Sequence, residues 1–213
     1  MSPSVRFVIL LTVLMMASAA FGQPTIVNFN FGVVPVLCST GYAYQGAALL
    51  CTVPYGSNTQ NFDASPGFGW MLGSVVALGG PNLNLGAGLT GPGTAFCPPS
   101  FTGMPFNQAV FLQSIGSFVW QAVPGFTAGS YTLSFYLGGR CDFGPQKIVA
   151  MIDGNVIGIW DVPLNMPFTL ETATFTVKTD GTHALEFMVL NPPDSTAFLS
   201  YVTITPGGRE RYF

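Results

Sequence analysis

The chain has 213 residues and a formal net charge of −3, with only 7% charged residues against 49% hydrophobic and 14% aromatic. Six Lys and Arg in total cannot form a basic stripe, which excludes nucleic acid and anionic lipid as expected partners. The 26 Gly and 17 Pro are interspersed with aromatic and β-branched residues throughout, which excludes wholesale disorder.

The N-terminus reads as a secretion signal over residues 1–22. Arg6 supplies the positive start, Phe7 to Ala20 the apolar stretch, and Ala20-Phe21-Gly22 a small-x-small cleavage site before Gln23. No later segment is long and apolar enough to cross a bilayer, so the expectation is a secreted, extracellular protein with no membrane anchor. Residues 23–213 suit a single β-domain. Thr25 to Phe31 alternates as a first strand, and Val33 to Val53 carries apolar runs around Cys38 and Cys51. Residues 54–106 are rich in Gly and Pro and read as long loops, with one or two strands around Trp70 to Leu78 and an anchor at Cys97.

From Gln108 onward the pattern is regular. Leu133, Phe135 and Leu137 fall on one face of a strand, with Thr132, Ser134 and Tyr136 on the other. Leu185, Phe187 and Val189 repeat that alternation, as do Ala173, Phe175 and Val177 with threonines between them. Asp153-Gly154-Asn155 and Asp180-Gly181 each link two strands, because such pairs supply the positive φ of tight reversals. No segment has a helical period. The expected fold is all-β: a two-sheet antiparallel β-sandwich of jelly-roll type with one wetted sheet face.

Cys38, Cys51, Cys97 and Cys141, in an exported chain, imply two disulfides. Three pairings are open. Cys38–Cys51 with Cys97–Cys141 is favoured, because the first pair closes a short apolar hairpin-like loop. No C-x-x-C spacing supports a metal alternative.

The runs Ala109 to Gln113, Ser117 to Gln121 and Ala128 to Arg140 carry a resemblance. It continues through Ile152-Asp153-Gly154, Val156-Ile157-Gly158, Gly181 to Phe187, Asn191 and Thr196-Ala197-Phe198. Together they resemble secreted galactose-binding-like, carbohydrate-binding-module-like jelly-roll proteins. The resemblance implies that fold and a carbohydrate or wall-directed partner. Related modules often hold a structural calcium through a Glu and an Asp in opening and closing motifs. Here those motifs read Asn28-Phe29-Asn30-Phe31-Gly32 and Ala197-Phe198-Leu199-Ser200. Both carboxylates are missing, so calcium is disfavoured and no cofactor is expected.

Sugar binding needs an aromatic face and planar polar groups. The candidate ligand residues are Trp70, Gln113, Trp120, Arg140 and Asn191. Trp70, between Gly69 and Met71, is the best placed to be exposed. Trp120 and Trp160 read more readily as core. Arg140 has a structural alternative, pairing with Asp142 or Asp161. Tyr42, Tyr44 and Tyr55 flank the first cysteine loop and read as packing. His183, the only histidine, sits at a strand start, a structural place. No G-x-S-x-G turn and no paired carboxylates at a cleft are evident, so no enzyme is expected. Asp153 and Asp180 belong to turns, Glu171 and Glu186 to exposed strand positions, and Asp63, Asp142 and Asp161 to loops. Two functions compete: a non-catalytic lectin-like module for neutral glycan, and a structural wall, matrix or coat protein that self-associates.

Overall fold

In the computed structural model, residues 23–27, 29–31, 43–44, 69–74, 86–92, 97–113, 115–191 and 195–207 are described. Residues 1–22, read above as a signal, and Cys38, Cys51, Tyr42, Tyr55 and Asp63 lie outside the described residues, as does the side chain of Tyr44.

The described chain is entirely β. Its strands are β1 (Ala43–Tyr44), β2 (Met71–Ser74), β3 (Ala87–Thr90), β4 (Ala109–Leu112), β5 (Ser117–Phe126) and β6 (Gly129–Gly139). They continue with β7 (Gln146–Ile152), β8 (Asn155–Val162), β9 (Thr169–Val177), β10 (Gly181–Val189) and β11 (Ala197–Pro206). They form a six-stranded sheet in the order β1-β3-β4-β11-β6-β9 and a five-stranded sheet in the order β2-β5-β10-β7-β8. Every pairing is antiparallel. From β4 on, the chain repeatedly crosses from one sheet to the other, which is the jelly-roll sandwich the alternation predicts. Among the described residues no helix is long and apolar enough to cross a membrane.

The core lies between the sheets. Leu133, Phe135 and Leu137 from one sheet meet Leu185, Phe187 and Val189 from the other, all fully buried. Phe135 packs edge-on against both Phe187 and Trp160, with ring centroids 4.9 Å apart in each pair. The hairpin between β7 and β8 turns at Asp153 (φ 49°) and Gly154 (φ 75°), two successive left-handed residues that match the twist of the flanking strands. On the outer face of the six-stranded sheet, Thr172, Thr174 and Thr176 are exposed, the wetted face the sequence predicts.

The same outer face carries a second apolar cluster. Phe106, Phe111, Phe168 and Phe198 are buried there, with Phe101 and Tyr136 packed on them. The Pro- and Gly-rich segment 97–108 supplies part of this cover, and the Cys97–Cys141 disulfide ties it to the end of β6. That pairing is the one favoured from the sequence.

Two expectations are corrected. Residues 25–31 do not form a ladder strand. Thr25 donates one backbone bond to Pro124, but Val27 gives its N–H to Gln121 Oε1 (2.8 Å) and receives Gln121 Nε2 on its carbonyl (2.9 Å). A side-chain amide has replaced the neighbouring strand, and Phe31 (φ 56°) then leaves the extended region. Asp161 is not in a loop: it lies in β8 opposite Lys147, with Nζ to Oδ1 at 2.9 Å.

Candidate functional site

Alternation along β10 buries Leu185, Phe187 and Val189 and turns Ala184, Glu186 and Met188 to the outside of the five-stranded sheet. The register carries that outer face across the sheet. Glu186 is flanked directly by Trp120 on β5 and Met151 on β7, and Met188 by Phe118 and Val149. Met71 on β2 lies opposite Trp120, whose indole Nε1 approaches its sulfur at 3.0 Å. One row across four strands therefore reads Met71, Trp120, Glu186, Met151. Directly opposed side chains sit roughly 4.5–5.5 Å apart at Cβ, so each neighbouring pair in the row is close enough to act on one ligand group.

Glu186 is the unusual member. It is half-buried among a tryptophan and methionines, and burial pushes its carboxyl above the usual range. No cation pairs with it among the described residues. The nearby cation on this face, Lys147, is engaged by Asp161. Beside Trp120 the surface dips into a cavity of about 240 Å³, lined by Gly69, Trp70, Met71, Trp120, Gln121 and Ala122. This is smaller than the roughly 300–1,000 Å³ of drug-sized sites and suits a single ring. A half-exposed indole beside an uncompensated carboxylate can stack on an apolar ring face and accept hydrogen bonds from hydroxyls.

The other sequence candidates are placed elsewhere. Trp70 is only 1% exposed and packs on Phe31 at 5.1 Å between ring centroids, so its ring is core rather than platform. Trp120 departs from the sequence preference in the opposite sense and stands on the outer face. Trp160 packs half-buried against the core, as expected. Gln113, Arg140 and Asn191 are brought to one end of the sandwich, but internal bonds use them. Gln146 holds that end together, with Nε2 on the carbonyls of Gln113 (3.2 Å) and Ser195 (2.8 Å) and Oε1 on the N–H of Asn191 (3.2 Å). The Asn191 amide donates to Pro145. Arg140, 8% exposed, takes the structural alternative: Nε bonds Asp142 at 2.5 Å and the guanidinium lies 4.3 Å from the Phe143 ring centre.

His183 sits at the opposite end. Nδ1 contacts Asp153 Oδ2 at 2.5 Å and Nε2 the Thr179 carbonyl at 2.9 Å, tying the β7–β8 turn to the β9–β10 connection. At the closing calcium position, Ser200 Oγ donates to the Gln108 carbonyl at 2.8 Å inside the structure. No group of three His, Cys, Asp or Glu is placed to hold a metal among the described residues.

Glu186 and Met151 are the site residues sequence reasoning missed. Their signal was available: apolar Val149, Met151 and Met188 occupy positions that strict alternation assigns to solvent, marking a second apolar face.

No protein-family model and no curated protein sequence matches the chain. Its structural neighbours include carbohydrate-binding modules and glycoside hydrolase chains. One is the CBM22-1–GH10 modules of Clostridium thermocellum xylanase 10B complexed with xylohexaose: 17% identity, TM-score 0.45, covering 74% of this chain and 29% of that one. Another is TmCBM61 in complex with β-1,4-galactotriose, at 16% identity and TM-score 0.44, over 73% of this chain and 100% of that one. A third is a family 35 module from Clostridium thermocellum, at 12% identity and TM-score 0.43, over 57% and 89%.

Proposed function

We propose that this chain is a secreted, non-catalytic carbohydrate-binding module that takes neutral glycan on the outer face of its five-stranded sheet. The observation that carries this is the pairing of Trp120 with Glu186: an aromatic platform directly opposite a half-buried carboxylate that no cation neutralises. Keeping a carboxylate in an apolar row costs stability unless a ligand uses it. Trp120 stacks on the apolar face of a sugar ring, Glu186 accepts from its hydroxyls, and Met71 and Met151 flank the pair. Neutral glycan is favoured over acidic because the one uncompensated charge of the row is negative. Calcium is given no part in the binding, since the opening and closing motifs lack the carboxylates that such an ion uses.

The test is a glycan array followed by calorimetry with the oxidised protein, comparing wild type with Trp120→Ala and Glu186→Gln. Selective binding, weakened at least about tenfold by either change and unaffected by chelator, is the expected result. Binding that survives both changes would place the ligand elsewhere.

A further inference from the structure

We infer that the free edge of β8 pairs with β8 of a second copy of this chain. Among the described residues β8 ends the five-stranded sheet: β7 occupies one side, and the sheet order places no described strand on the other. Exposed edges are normally blunted by short length, charge, proline or a bulge that twists the edge away. β8 is eight residues long and contains neither lysine nor proline, and its one irregularity, opposite Ala150 and Met151, falls at the centre of the pairing described below. Its one charge, Asp161, is exposed but paired with Lys147 of the neighbouring strand at 2.9 Å. The opposite edge of the same sheet, β2, has only four residues.

The side chains on this edge complement themselves. Val149 faces Ile159 and Met151 faces Val156, with the irregularity between Ala150 and Met151 absorbing the extra residue of β8. Val156 and Ile159 therefore share the outer face although they are three apart. They are 58% and 55% exposed, while Ile157 and Trp160 pack against the core. An antiparallel strand related by a two-fold axis between Ile157 and Gly158 sets Val156 opposite Ile159 of the second copy, and Ile159 opposite its Val156. Each contact then occurs twice and the assembly closes as a dimer. Backbone groups that now meet solvent gain strand partners, and two β-branched cross-strand pairs form.

Because outer-face side chains meet outer-face side chains, the axis stands perpendicular to the sheet. The two Trp120–Glu186 rows then lie on the same side of one continuous sheet and can engage one glycan surface together. That consequence rests on the proposed carbohydrate binding; the dimer itself does not.

The experiment is sedimentation velocity of the oxidised full chain without ligand, over a concentration series into the millimolar range. Wild type is expected to show a reversible monomer–dimer equilibrium. Val156→Lys or Ile159→Lys is expected to weaken the dimer at least about tenfold, or ~1.4 kcal/mol. The double variant V156T/I159T keeps β-branched residues and serves if a lysine variant misfolds; it too should dissociate. A monomer at every concentration, a dimer indifferent to these variants, or open-ended growth would each overturn the proposal. Glycan binding retained by a monomeric variant separates this outcome from failure of the binding proposal.

Discussion

Both ring nitrogens of His183 face oxygens that can only accept, the Asp153 carboxylate and the Thr179 carbonyl. A neutral imidazole satisfies one of them and an imidazolium satisfies both. The bond to Asp153 is accordingly the main cause that raises the His183 pKa above its ordinary 6.5. Burial pushes the Asp153 carboxyl up, but the bonds from His183 and the Ala184 N–H outweigh it and hold the net value below 3.8. A raised histidine stabilises fully below its unfolded value and loses that contribution as pH rises through its folded one. A depressed aspartate stabilises above its unfolded value and loses that as pH falls. The pair therefore contributes most between about pH 4 and 6.5. Melting scans across pH should show wild type above His183→Gln by roughly 2–4 °C in that window, from a difference of ~1 kcal/mol, with the gap closing toward alkaline pH. A gap that widens with pH would contradict the charged state. Glu186 runs the other way. Burial raises its pKa, so its ionised form is a burden on the fold. Glu186→Gln is expected to raise the melting temperature while weakening glycan binding, an opposition that a merely structural glutamate would not produce.

At the scale of elements, the strands whose faces differ most were the most legible. β6, β9 and β10 alternate as their sequences demand, and the Asp-Gly pairs fall between β7 and β8 and between β9 and β10. What escaped the sequence depended on contacts between distant segments. The segment at 25–31 alternates like a strand, yet Gln121, 94 residues from Val27, takes its hydrogen bonds. Trp70 sits among glycines, yet Phe31 covers it. Gln113, Arg140 and Asn191 have ligand-like chemistry, yet Gln113 is buried and the side chains of Arg140 and Asn191 bond the chain's own turns. The Trp120–Glu186 pair was hidden because register, not local pattern, makes them neighbours. Gln121→Ala removes both partners of the Val27 peptide and should cost about 1–3 kcal/mol in urea unfolding. An unchanged midpoint would show that the N-terminal segment contributes nothing. Gly139 is fixed by close approach: a Cβ there would lie 2.1 Å from the Pro163 carbonyl oxygen, so Gly139→Ala should destabilise β6 where it meets the 163–166 turn.

Across the whole molecule the two sheets present different outer faces. One carries threonines and a Phe-rich cover pinned by Cys97–Cys141; the other carries the apolar row with its single free carboxylate. The disulfide joins residues 44 apart, and on chain-entropy grounds its loss should cost about 4 kcal/mol, so reduction should lower the unfolding midpoint substantially. Low overall charge leaves the row with one carboxylate and the β8 edge with one ion pair among the described residues, which suits a neutral ligand and a self-complementary contact. The most direct test of glycan binding on the five-stranded sheet is a calorimetric titration with the best array ligand, run on wild type, Trp120→Ala and Trp160→Phe, a tryptophan that packs on the core away from the cavity. Loss of binding in Trp120→Ala with retention in a folded Trp160→Phe is the predicted result. Full affinity in Trp120→Ala, or no binding to any neutral glycan by a folded wild-type protein, would contradict it.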